Sequence, residues 1–137
     1  MADVEHVVRT VSVRFPAMRR DVMFALAALA DRDYQEAVWL GWRPRPGYVD
    51  DLTAAVNVLY DDCQVLPDPA NRVGSVLVDG DELERLRHID AVLEVLLDRH
   101  HGRDDDAFLG DPRWGEVVDA AARALAAMVI SGEFTDL

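Results

Sequence analysis

Residues 81–101 read DELERLRHIDAVLEVLLDRHH. Leu83, Leu86, Ile89, Leu93, Leu96 and Leu97 recur in that stretch at three- and four-residue spacing, which puts them on one face of an α-helix. Asp81 and Glu84 have capping-box spacing, and their charge suits the positive end of a helix dipole. The pattern predicts a long helix from Asp79 or Asp81 to near His101-Gly102, with His100 and His101 at the end that favours cations. An apolar face this broad needs other helices to cover it.

The same period runs outward in both directions. Phe15, Met18, Val22, Ala25, Leu26 and Leu29 predict a helix over Pro16 to Ala30, with proline tolerated in the first turn because its missing N–H had no partner there. Asp31 can cap a shorter helix ending at Trp39, with Tyr34, Ala37 and Val38 turned inward. Residues 40–47, LGWRPRPG, read as a loop, since proline and glycine interrupt both periods. Asp50 or Asp51 then starts a helix whose stripe is Leu52, Val56, Leu59 and Tyr60, stopping near Asp62 and Cys63. Arg72 to Val78 fits a short helix or an extended piece, with the helix preferred. Asp111-Pro112 opens the last helix, which turns Trp114, Val117, Val118, Ala121, Leu125, Met128 and Val129 inward and stops at Gly132. Its many alanines allow close approach by neighbours, which predicts a central position. Residues 1–14 fit a leading helix, a strand or a flexible arm. The expected fold is one all-α domain, a compact bundle of five to six helices.

Composition narrows the partners. The chain has 137 residues, enough for one core without disulfide or metal staples, and a net charge of -12 with arginine as its only strongly basic residue type. Such a charge repels nucleic-acid phosphates and anionic lipid, whose binding energy comes from neutralisation by Lys and Arg. It would attract a basic protein surface instead. No apolar run approaches the roughly 18 residues of a membrane span. The opening residues lack the pattern of a secretion signal, and the lone Cys63 cannot form an internal disulfide, so the expected location is the cytoplasm.

The sequence carries no glycine-rich phosphate loop, no Cys or His pair at zinc spacing and no complete calcium loop, so no catalytic residue, metal or cofactor is assigned. Adjacent His100 and His101 project about 100° apart on a helix and make a poor ligand pair. Cys63 follows Asp61-Asp62, whose charge opposes a thiolate, and reads as a structural thiol. The clusters Asp50-Asp51, Asp61-Asp62, Asp79/Asp81 and Asp104-Asp105-Asp106 sit where helix starts and loops want aspartate. Asp90 shares a face with Leu86, Leu93 and Leu97 and needs a partner if buried, expected to be an arginine or a helix N-terminus.

The strongest binding signal is Trp39, Trp42, Arg43, Arg45 and Tyr48, residue types that dominate interface hot spots. With Asp50, Asp51, Asp61 and Asp62 they form the expected partner-binding surface. The alternative is that the tryptophans cover the core while the arginines pair with Asp50 and Asp51.

Three blocks carry a resemblance: Phe15-Pro16-Ala17-Met18-Arg19-Arg20 through Tyr34-Gln35, Tyr48-Val49-Asp50-Asp51-Leu52 through Leu59-Tyr60-Asp61-Asp62, and Asp111-Pro112-Arg113-Trp114. From about Phe15 to Met128 the chain resembles a family of small acidic proteins common in actinobacteria and loosely associated with toxin immunity. The resemblance implies a helical fold and a binding role, with no catalytic residues to carry across. The expected function is stoichiometric inhibition of a protein partner, such as a basic toxin, by occlusion. A homodimeric regulatory protein is the alternative, and an enzyme built on Asp90, a histidine and Cys63 ranks third.

Overall fold

The structure, a computed structural model, describes residues 10–134. Six α-helices follow one another among these residues: α1 (Pro16–Leu29), α2 (Arg32–Tyr34), α3 (Leu52–Asn57), α4 (Asp81–Arg99), α5 (Asp105–Leu109) and α6 (Trp114–Ser131). The π-helical turns Gln35–Trp39 and Val58–Asp62 prolong α2 and α3, and a 3-10 turn spans Pro69–Arg72. Thr10–Val11 (β1) pairs in parallel with Glu133–Phe134 (β2), so the described part of the leading segment is a two-residue strand. Residues 1–9 lie outside the described residues. The fold is an all-α bundle.

α6 packs against both α4 and α1, the central position that its small side chains predict. Ala120, Ala121, Ala124 and Ala127 are buried along it, and they admit the leucines of both neighbours. Val22, Leu26 and Leu29 from α1, Leu86, Ile89, Leu93 and Leu96 from α4, and Val117 and Met128 from α6 are wholly enclosed. Each such side chain contributes roughly 2 kcal/mol by leaving water.

Several local expectations shift. α4 starts directly after Gly80, whose φ of 128° suits glycine, and Asp81 pairs with half-buried Arg85 rather than capping. α6 starts at Trp114, because Asp111 accepts the Arg113 N–H at 2.8 Å and closes a turn ahead of the helix. Residues 73–77 do not form a helix: Gly74, at φ 89°, bonds back to the Leu77 carbonyl and makes a tight turn. Phe15 and Val129 lie on exposed helix ends instead of facing inward. After Asp31, which does cap the Tyr34 N–H at 3.0 Å, the buried residues are Gln35 and Trp39, while Tyr34 and Val38 stay half-buried.

Two polar clusters clamp the helices. Asp111 accepts from Arg99 Nη1 at 2.9 Å and lies 2.7 Å from His100 Nε2, tying the end of α4 to the start of α6. The Arg113 backbone N–H, then His100 and Arg99, hold its carboxyl down to about 2. The second cluster is deeper. Arg19 of α1 meets Glu82 of α4 in a two-pronged pair at 2.8 and 3.0 Å, both side chains fully enclosed. The same guanidinium donates to the carbonyls of Val76 (3.2 Å), Met128 (3.1 Å) and Gly132 (3.4 Å), and Glu82 also accepts the Val78 N–H at 3.1 Å.

Removing one partner from such a pair strands the other charge in the interior, typically at a cost of about 3–5 kcal/mol. Glu82→Gln is therefore expected to lower unfolding stability by about 3 kcal/mol, read from urea denaturation. A loss below about 1 kcal/mol would show that Arg19 is not held by this charge.

Candidate functional site

The chain around Trp39 is positioned by Gln35. Its Nε2 donates to the Ala28 and Leu29 carbonyls, both at 2.8 Å, closing the C-terminal end of α1, and its Oε1 accepts Trp114 Nε1–H at 2.9 Å. One π-turn later Trp39 lies edge-on between Tyr34 and Trp114, each ring centroid 6.4 Å away.

Trp39 Nε1 donates to Asp50 Oδ2 at 3.0 Å, and Tyr34 OH donates to the same oxygen at 2.5 Å. The hydroxyls of Tyr34 and Tyr48 are 2.9 Å apart. Since the Tyr34 proton is committed to Asp50, Tyr48 is the donor in that contact. Burial, then the bond to Asp50, pushes the Tyr34 hydroxyl well above its ordinary range. One carboxylate thus fastens both ends of the exposed 40–49 loop.

Of the expected surface, Trp39, Tyr48, Asp50 and Asp51 come together here, but in different roles. Trp39 covers the core. Asp50 is a structural acceptor, and Asp51 caps α3 by accepting the Ala54 N–H at 2.8 Å. Arg43 and Arg45 are exposed and form no ion pair among the described residues. Asp61 and Asp62 are exposed at the other end of α3, about 15 Å from Asp51 at helical rise. They stand on the side of Asp21, since both Asp21 and Asp62 raise the Cys63 thiol.

Two hollows flank the fastened loop. The first, about 790 Å³, lies between Trp42, which is 66% exposed, and the Arg103 to Asp106 segment. Asp105 at its base accepts the Leu52 N–H at 3.0 Å; burial, followed by crowding from Asp51 and Asp104, raises its carboxyl. The second, about 490 Å³, lies between α1 and α3. Its floor is alanine, its rim carries Asp21 and Asp31, and Phe24 (67% exposed), Val49 (90%) and Tyr48 (49%) stand around it.

The sequence reading passed over Phe24 and Val49. Phe24 did leave a signal, because a large apolar residue off the Val22, Leu26, Leu29 stripe has no place in the core.

The remaining chemical candidates have separate partners. Asp90 accepts Tyr60 OH at 2.7 Å, so its partner is a tyrosine, neither an arginine nor a helix end. Burial, and then this bond, raise the tyrosine hydroxyl. Cys63 is enclosed with Sγ 3.6 Å from the Met18 carbonyl, and its thiol is pushed up to about 11 by burial and by Asp21 and Asp62. No group of three or more metal-binding side chains gathers among the described residues. No helix among them is long and apolar enough to cross a membrane.

Asp50→Asn keeps one acceptor oxygen but removes the charge shared by Tyr34 and Trp39. It is expected to cost about 1–3 kcal/mol and to speed proteolytic cleavage within residues 40–49 severalfold; an unchanged cleavage rate would show that the loop is held otherwise. Cys63 is expected to resist iodoacetamide at pH 8 in the native protein and to react fully in urea. Rapid native labelling would contradict both its enclosure and its raised thiol.

Neither a curated protein nor a solved structure matches this chain. A family match does exist, over residues 13–134, which takes in all six helices and both hollows. On that match the chain belongs to the family described as a domain of unknown function, DUF7945.

Proposed function

We propose that this domain is a protein-binding inhibitor that occludes a basic partner with the end of the bundle bearing Phe24, Trp42 and Tyr48. The observation that carries the reading is the emergence of these three aromatics and Val49 into solvent around two adjoining hollows. Large side chains left exposed in this way sacrifice burial, and they are the types that supply most of the affinity when a partner covers them. Arg43 and Arg45, unpaired among the described residues, add adaptable donors beside Trp42.

Charge supplies the other half of the argument. A net charge of -12 speeds encounter with a positive surface and repels nucleic acid. Asp21, Asp31, Asp104 and Asp106 carry that charge to the borders of the hollows. The specific form we favour is immunity to a co-produced toxin in an actinobacterial cytoplasm, which rests on the family resemblance of the three sequence blocks. Inhibition would be stoichiometric, by covering the toxin's basic working surface, and would need no cofactor.

Co-expression with the product of the adjacent gene tests this. A one-to-one complex and protected growth are expected, with Trp42→Ala weakening the complex by about tenfold or more and charge reversal at Asp61-Asp62 slowing its formation. Absence of both complex and protection would remove the reading.

A further inference from the structure

We infer that the hollow between α1 and α3 receives one amphipathic helix of the partner, its apolar face on the alanine floor and its basic flanks against Asp21 and Asp31. The inference rests on the inhibitory-binding reading and specifies what occupies this part of the surface.

Ala25 and Ala28 of α1 face Ala54 and Ala55 of α3, so the surface is shallow in side chain and lets an incoming backbone approach closely. Phe24 on one side and Tyr48 and Val49 on the other form apolar walls. The result is a trough shaped by two helices, into which a third can lay a ridge of side chains.

Backbone chemistry selects the occupant's conformation. The floor is built from two helices whose interior N–H and C=O groups are bonded within the helix, so along its length it offers no strand edge; only the margin at Tyr48 and Val49 belongs to the 40–49 loop. An extended segment buried there would find no ladder for its own backbone groups. A helix arrives with those bonds already made and needs only an apolar stripe at i, i+3, i+4 and i+7.

Charge and length agree with that choice. Asp21 and Asp31 are exposed and rim the trough about 15 Å apart at helical rise, close to three turns of a docked helix. Lysine or arginine flanking a three-turn apolar stripe would meet one carboxylate at each end. Asp31 uses one oxygen to cap the Tyr34 N–H and has the other available, whereas Asp50 is tied to two side chains, Tyr34 and Trp39.

The test uses the full chain and two fluorescein-labelled synthetic peptides of identical composition. In one, leucines share a single helical face among lysines; in the other they are dispersed. Anisotropy is expected to show the ordered peptide binding at least tenfold tighter, a further tenfold loss on Ala54→Arg, and a severalfold loss with weaker salt dependence on Asp21→Lys. Ala54 is exposed, so Ala54→Arg should retain the parent far-UV circular dichroism. Trp42→Ala, in the other hollow, should leave peptide binding unchanged.

Equal binding of the two peptides, or indifference to Ala54→Arg, overturns the inference. So does a concentration-dependent dimer in light scattering that Ala54→Arg dissolves, because the trough would then hold a second copy. A co-expressed toxin complex that survives Ala54→Arg sinks the trough but leaves the inhibitory function standing. Ordered-peptide binding without any toxin complex or protection does the reverse.

Discussion

The enclosed pairing of Arg19 with Glu82 is the constraint around which the bundle is arranged. It joins α1 to the start of α4, and the remaining guanidinium hydrogens reach the carbonyls of the 73–78 turn and the end of α6. Burying two charges costs several kcal/mol per ion before their attraction is counted, so the arrangement is tolerable only because neighbouring polar groups are used as well. Arg19 Nε is the exception, buried without a hydrogen-bond partner among the described residues. Leucine stripes alone would let α1 slide or rotate on α6 with little change in buried area. A bidentate ion pair allows one register.

That register decides where the exposed 40–49 loop lies. With α1 fixed, its last carbonyls meet Gln35, which in turn receives Trp114, and Trp39 is delivered to Asp50. Asp50 gathers Trp39, Tyr34 and, through Tyr34, Tyr48. The exposed loop is therefore anchored at both ends on a rigid scaffold, which lowers the ordering cost of any contact it makes. The two hollows on either side follow from the same fastening.

Much of the bundle is legible in the one-dimensional pattern. The apolar positions of α1, α3, α4 and α6 announce their helices, since a 3.6-residue period is a local property of the chain. The caps at Asp31 and Asp51 are equally local, because an N-cap aspartate needs only the backbone three residues ahead. α5 was hidden, with its five residues too few to establish a period. The candidate site was half legible. Trp42 and Tyr48 stand in the loop where hot-spot residue types cluster, whereas Asp61 and Asp62 lie beyond α3, at the far end of the π-turn that prolongs it.

By itself, then, the sequence determined the helical class, the acidic field, most helix boundaries and the loop that carries Trp42 and Tyr48, because composition, period and capping are read within a few residues. Tertiary structure alone decided the partners of its buried polar groups. Arg19 lies on the Val22, Leu26, Leu29 stripe and Glu82 on the Leu86, Ile89, Leu93 stripe, 63 residues apart. Each looks locally like a defect in an apolar face; they become a pair only when those two faces meet. The trough likewise exists in neither α1 nor α3, only in the space that their packing leaves between them.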